Sequence, residues 1–499
     1  MKRIIVIFLS TFCMQVSAQN QQDILRYSSR GMVGSARTMG LSGAFAAVGA
    51  DLSAASINPA GLGLFRSNHF LISSAVTANL SNTNYTGNVM SDSKTNFNIP
   101  NIGIALNTVD HYMGKPRTKG IIGGTLVFGL NRLNDFNSNV QYSGVVKNTT
   151  VGDFLARQAN GINFNVLNQS AYDNFLEAQA WRVALIDSVP GSNNYISILD
   201  KFKDTAYSVS QFQQISNTGR MQEWYVGGGI NVSNFLYLGT TLVIQHANYT
   251  SKLIYRESLK ESSVQNNPYG SVSINQNLES TGSGVGAKFG FILRPASFIR
   301  IGGAYHTPVR LSMTDQYDNS LSMRYSDGNV YTEPRELRKD FYEYQIVAPG
   351  RLHANAAIIL GKLFLLTADY EKVDYRKGRL QATNNMADFV SANSNNQLLH
   401  HVAENYRTGI EFGYDFLRIR AGYAYLGSPY NEQYISKKDG GKQLISGGLG
   451  WVYDNRVFFD FAVSSLIGKD FHVPFGTNPE TATINGNRLN FMFGAGFKF

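Results

Sequence analysis

Cysteine is almost missing: the single residue, Cys13, falls within the first twenty positions, MKRIIVIFLSTFCMQVSAQN. That opening carries Lys2 and Arg3, an apolar run from Ile4 to Leu9 that extends to Met14, and small residues at Ser17 and Ala18. This is the three-part pattern of a secretory signal peptide, cut after Ala18. Phe12 is not the small residue that a lipidated Cys13 would need before it. The chain beyond residue 18 is therefore expected to form no disulfide, no thiolate metal site and no cysteine nucleophile. Long apolar runs are missing too: nothing after the leader approaches the roughly eighteen residues of a transmembrane helix. Charged residues are scarce at 16%. No G-x-S-x-G elbow or H-E-x-x-H pair occurs, Gly282, Ser283 and Gly284 lack the flanking glycine, and the adjacent His400 and His401 cannot face one site from a strand. The formal charge is +9, or +7 without Lys2 and Arg3, yet no basic helix or Lys/Arg cluster interleaved with aromatics accompanies it. Head groups of membrane lipid account for that charge better than nucleic acid does, and the chain reads as an exported non-enzyme without a cofactor.

Aromatic residues are abundant at 12%, and 48 glycines are spread along the whole length. In LNFMFGAGFKF, Leu489, Phe491, Phe493, Ala495, Phe497 and Phe499 alternate with small or polar residues. A period of two over this length suits a tilted strand that crosses a bilayer. The pattern recurs near 457–464, 445–453, 417–425, 406–414, 364–371, 352–360, 298–306, 285–293, 236–244, 223–232, 120–130, 101–107 and 70–80. Fourteen strands make the even number that a closed antiparallel barrel needs. The connections alternate between short turns, as at 232–235, 294–297, 360–363, 414–417 and 453–456, and long loops at 134–220, 257–272, 315–340, 376–404, 428–441 and 468–486. Short turns belong to the periplasmic side of such barrels. The fold expected is all-β: a transmembrane antiparallel barrel over 66–499, with a helix-containing extracellular loop at about 134–220. In that loop Phe154, Leu155, Gln158, Ala159 and Ile162, then Tyr172, Phe175, Leu176 and Gln179, lie near helical spacing. Such helices either cover the barrel mouth or offer a first contact to a greasy ligand.

Residues 19–65 precede the first strand and hold the oddest composition in the chain. From Gly31 to Gly63 there are seven glycines and eight alanines in thirty-three residues. Such a stretch is too small-residued to fill a core of its own and too apolar for a solvated linker. The expectation is a small plug packed inside the barrel lumen. Asp51 stands where it could cap a short LSAAS helix. Asn58 before Pro59 suits a rigid turn into the first strand. On the same phasing the lumen wall carries Lys288, Arg300, Arg351, Arg407, Arg418 and Arg420 with Asp369, Glu371, Glu411 and Asp460. Inward charges are expected to pair with one another, and an unpaired Lys288 or Arg300 would hold an anionic head group. Asp315, Asp318 and Asp327 read as solvated acidic loops.

The segment ARTMGLSGAFAAVGADLSAASINPAGL, and above all Asn58, Pro59 and Ala60 directly before the first strand, resembles the NPA hatch of the FadL/TodX family of outer-membrane transporters for hydrophobic compounds. Phe499 at the C-terminus and the strand count fit as well. The resemblance implies a bacterial outer-membrane channel, a monomer, whose N-terminal hatch includes Phe45, Asp51, Asn58, Pro59, Ala60 and Gly61. It implies capture of a ligand such as a long-chain fatty acid outside, an apolar pocket within, and a sideways exit where a strand is kinked. Pro100 and the Gly123/Gly124 pair are the candidates for that kink. The long loop after the third strand departs from the family, whose main capture loop falls later. Relatives of the same build serve instead as adaptor or shuttle subunits of protein secretion. The TonB-dependent class is disfavoured because its plug is far larger, and no iron-ligand motif supports a haem receptor.

Overall fold

Fourteen antiparallel strands close into one ring in the computed structural model. It describes residues 21–499 apart from 32–33, 110, 113–114, 117, 203–206, 263–266, 338, 384–388 and 476–480, so the leader reading for residues 1–18, Cys13 included, lies outside the described residues. The strands are β1 (His69–Tyr85), β2 (Asn88–Val109), β3 (Ile121–Asp135, continued by Ser138–Lys147), β4 (Tyr207–Val232), β5 (Leu236–Ser262), β6 (Tyr269–Ala296) and β7 (Ile299–His306, continued by Val309–Tyr325). They continue with β8 (Asp340–Ala348 and Arg351–Leu360), β9 (Phe364–Asp374), β10 (Val402–Tyr414), β11 (Leu417–Leu426), β12 (Lys442–Tyr453), β13 (Val457–His472) and β14 (Ala482–Lys498). Closure comes from β1 against β14, in register from His69↔Lys498 to Asn84↔Thr483.

Alternation decides which side of each strand meets lipid. In β14, Phe491, Phe493 and Phe497 are exposed while Asn490, Met492, Gly494 and Gly496 are buried. The same split places Ile445, Leu449 and Trp451 of β12 outside, with Ser446 buried behind them. A large aromatic or aliphatic side chain left in water would cost about 1.5–3 kcal/mol, so this girdle is stable only against hydrocarbon. All fourteen expected segments fall on these strands, three of them overrunning an end by one residue, at Gly120, Phe298 and Phe499.

The strand ends differ from the reading at the long-loop side. β4, β5 and β6 have 26, 27 and 28 residues, whereas about 9–11 tilted residues span a bilayer. Their upper halves project beyond the membrane, so the expected loops at 257–272 and 315–340 are largely strand. The period-two signal fades there because water, not lipid, faces the outer side and both faces can be polar. Asp315 and Asp318 are consequently not solvated loop residues but buried members of β7, with Asp318 accepting from Asn277 Nδ2 at 2.7 Å; Asp327 alone of the three lies in a turn.

Helices accompany the strands: α1 (Gln21–Ser28), α2 (Ala36–Met39) and α3 (Ala54–Ile57) before β1, then α4 (Val151–Ala159), α5 (Phe164–Leu167) and α6 (Leu176–Arg182) within 134–220, and α7 (Val390–Leu399). Helices α4 to α6 bury Leu155, Leu167, Leu176 and Ala180 against Tyr255, Tyr269, Ile274 and Leu321 on the inner faces of the projecting strands. Thr150 caps α4 with a reciprocal box to Asp153. Glu257 of β5 sits beneath that cap and accepts from Thr150 Oγ1, Val151 N, Tyr255 OH and Tyr269 OH.

Burial, and after it the negative charge of Asp200, pushes the Asp153 carboxyl up to about 7. Its unfolded value is 3.8. Below about pH 4 both states are protonated and the contribution to stability is complete. As pH rises from there to about 7 the unfolded chain releases its proton first, so stability falls. Protease resistance of 151–200 is therefore expected to decline from pH 5 to 7.5 and to stay level in Asp153→Asn; a level wild-type profile contradicts this.

Candidate functional site

The N-terminal segment contacts strands all round the ring through side chains on the face opposite the exposed apolar girdle. Its small residues matter because backbone meets backbone. A Cβ on Gly239 of β5 would stand 2.1 Å from Pro59 O, and one on Gly290 of β6 would stand 2.0 Å from Asn58 Oδ1. The wall thus has glycine where the N-P-A-G turn rests. Asn58 caps a 3-10 helix, Pro59–Leu64, by accepting from Ala60 N at 3.1 Å. Its amide also reaches across to Phe291 O at 3.3 Å. Ala60 is fully buried against Tyr237 and Ile292, and Gly61 packs on Gly49 and Ala54.

Polar anchors flank this seat. Asp369 of β9 accepts from Phe45 N and Ala46 N, both at 2.9 Å, while the Phe45 ring is buried beside Leu41, Ala357 and Leu365. Arg37 approaches Glu411 at 3.5 Å. Glu411 and Asp460 in turn hold Arg420 at 2.6 and 2.5 Å. Lys288 pairs with Glu223 at 2.5 Å, and Ser56 donates to the same carboxylate. Arg300 donates to Val48 O. Arg351 pairs with Glu371, which Arg407 also engages at 2.5 Å. Arg418 donates to Asp415 O and Leu417 O at the turn end of β11. Lys288 is therefore an ion-paired wall group and not an unpartnered cation, whereas Arg300 gives one N–H to the segment's backbone, has no carboxylate partner among the described residues and leaves its buried Nε without an acceptor there.

Asp51 does not cap the helix. Ser53 occupies the N-cap of α3, and Asp51, two residues earlier, accepts from Ser53 N at 2.8 Å and from Ser35 Oγ at 3.0 Å. Ser53 stands at the N-cap without a side-chain capping hydrogen bond, and Asp51, bonded to Ser53 N and Ser35 Oγ, ties the segment's two halves together.

Above the segment lies a cavity of about 1590 Å³, larger than the roughly 300–1,000 Å³ of ordinary ligand sites. Leu25, Phe136, Phe154, Leu398 and Phe475 are among the apolar groups around it. Its polar lining includes Arg30, His306, His353, Arg351, Glu371 and Arg407. The two imidazoles stand 4.5 Å apart. His306 bonds Ile57 O at 2.9 Å and Arg30 Nη1 at 2.9 Å, whereas both ring nitrogens of His353 lack a partner among the described residues. Sequence reading missed Arg30, His306 and His353: the first opens the glycine-rich stretch, and the histidines are single polar residues in strands whose partners come from elsewhere in the ring.

The wall changes beside this cavity. β2 pairs with β3 from Val109↔Gly123 up to Asn101↔Asn131 and no further. At that height β1 and β2 also slip register between Ser73 and Ala75, because Pro100 has no N–H to give and forces an extra residue into β2. β3 then shifts against β4 between Arg132 and Asn134 and bends inward. Asn79 and Ser81 on β1, two strands away, reach Asn137 O and Asn139 O at 2.6 and 2.7 Å. Gly31 N takes Leu133 O at 2.8 Å, so the N-terminal segment touches the bend itself. Across the break the backbone ladder is replaced by side-chain bridges such as Asn96 to Asp135 at 2.8 Å and Gln141 to Ser91 O at 3.0 Å. Pro100 thus marks the break, while Gly123/Gly124 mark only a register slip of β3 against β4 at Ile121/Gly123.

No protein-family model matches the chain, and no curated protein matches it by sequence. Solved structures do. A FadL homologue of Pseudomonas aeruginosa aligns over 95% of this chain and 100% of its own at TM-score 0.53 and 13% identity. The toluene transporter TodX of Pseudomonas putida aligns over 95% and 100% at 0.51 and 11%. The toluene transporter TbuX of Ralstonia pickettii aligns over 95% and 100% at 0.50 and 13%. The fold of this chain is that of the FadL-type barrels, a transmembrane barrel of the outer-membrane kind.

Proposed function

We propose that the protein admits hydrophobic small molecules, long-chain fatty acids first among them, across a bacterial outer membrane by passive diffusion. The observation that carries this reading is the end of the β2–β3 ladder at Asn101 and Asn131 beside the cavity of about 1590 Å³. A water-filled pore serves an apolar solute badly, because each methylene exposed costs about 0.8 kcal/mol. A plugged lumen with a sideways exit avoids that cost. On this reading the N-terminal segment acts as a hatch, with Phe45, Asp51 and Asn58 to Gly61 as its seat.

The neighbours described as toluene transporters make neutral aromatics the competing class of ligand. Arg30 favours an acid. It is a guanidinium at the cavity, bonded to the His306 ring and to no carboxylate among the described residues. A charge-assisted hydrogen bond is worth about 1.5–3 kcal/mol. Replacing Arg30 with Met in proteoliposomes is therefore expected to weaken oleate entry about tenfold and to leave toluene entry unchanged. Equal loss of both, or no loss of either, defeats the fatty-acid assignment; wild-type protein that passes neither compound defeats the transport reading.

A further inference from the structure

Cations gather at the short-turn end of the barrel. Arg66, Lys119, Lys362 and Arg456 are exposed, and Lys498 is half-buried. None is in an ion pair among the described residues. Among the described residues Arg66 reaches Asn234 Oδ1, Gly63 O and Phe65 O. Arg294 and Arg418 at the same end likewise spend their donors on backbone oxygens of their own turns. The side-chain carboxylates described in these turns are Asp415 and Asp454, both at left-handed turn positions and neither paired with these cations. The opposite end has both kinds: Lys442–Asp470, Lys469–Asp439, Lys437–Glu432 and Lys339–Glu279 are ion pairs, while Lys252, Arg256 and Lys260 of β5 are exposed with no ion pair among the described residues.

We propose that this rim binds the phosphate head groups of anionic phospholipid in the inner leaflet of the membrane. Two features select lipid over a protein partner. The cations are spread around the circumference, from the turn before β1 through those after β2, β6, β8, β10 and β12 to the end of β14. A leaflet surrounds a barrel in that way, whereas a docked protein covers one side. The cations also stand directly beside a belt of exposed aromatics at the same end, Phe235, Phe298, Tyr414, Phe416, Trp451 and Tyr453, and aromatic rings settle at the level of lipid head groups. Lys and Arg above an anionic surface gain from it, and the gain is lost within a Debye length.

The test is lipid retention. Purified protein is equilibrated in mixed micelles of phosphatidylglycerol and phosphatidylcholine with identical chains, and the lipids that stay bound are counted by native mass spectrometry. The wild type is expected to favour phosphatidylglycerol about fivefold, with the preference gone near 1 M salt. The combined variant Arg66→Gln, Lys119→Gln, Lys362→Gln, Arg456→Gln and Lys498→Gln is expected to retain both lipids equally. Heat-modifiable migration shows that its barrel has formed. A matched variant at the other end, Lys252→Gln, Arg256→Gln and Lys260→Gln, is expected to keep the preference. Equal retention by the wild type, preference that survives the rim substitutions or high salt, or capture of soluble polyglutamate without any lipid preference overturns the proposal.

Discussion

Gly239→Val is expected to turn a barrel closed to ions into a conducting one. The Cβ alone would overlap Pro59 O, and the two γ-methyls of valine would press on the Asn58–Ala60 turn. Overpacking of this kind costs about 1–3 kcal/mol, which shifts the seating of the turn by about five- to 150-fold. The strand itself gains, since valine suits an extended backbone better than glycine does. Only the contact with the N-terminal segment suffers. In planar bilayers, conductance steps should be rare for the wild type and frequent for Gly239→Val, and more frequent again with Gly290→Val added. Gly447→Val is the control: the atom nearest to its added Cβ is 3.8 Å away. If Gly239→Val conducts no more than Gly447→Val, the segment is filler that adjusts its position and not a seated seal.

How much of this could be read beforehand divides along physical lines. Strand pattern was legible wherever lipid faces the wall, as in Phe491, Phe493 and Phe497, because hydrocarbon tolerates one class of side chain outside. It was not legible in the upper halves of β4 to β7, where both faces meet water or the helical insert and Asp315 can be a core residue. The inward phase of Lys288, Arg351 and Arg420 followed from alternation alone, but their partners did not: Glu223 lies 65 residues from Lys288, and Asp460 lies 40 from Arg420. The glycine-rich stretch announced a tightly packed place, yet the matching glycines of the wall, Gly239 and Gly290, were hidden among dozens of others. Pro100 was identifiable as a ladder breaker, whereas the inward bend of β3 depends on Asn79 and Ser81 donating from β1, a contact that no local pattern encodes.

The second large effect concerns the exit. Where β2 leaves β3, Asn96 and Asp135 meet side chain to side chain, and beyond residue 18 the chain has no cysteine of its own. Asn96→Cys with Asp135→Cys can therefore be joined selectively by a short, reducible bifunctional thiol reagent. The join holds together the two edges that the backbone ladder leaves free above Asn101 and Asn131. Asp135 stands at the edge of the cavity, but the join touches neither Arg30 nor the turn at Asn58. If molecules leave sideways through this break, locking it should remove nearly all transport without altering capture.

The decisive measurement is oleate entry into proteoliposomes by this double-cysteine protein before joining, after joining and after reduction, with ligand binding followed in parallel. The account predicts entry, loss of entry with binding retained, and recovery. Entry that continues unchanged through the joined protein would contradict it, since the ligand would then be passing along the barrel axis and not through the wall.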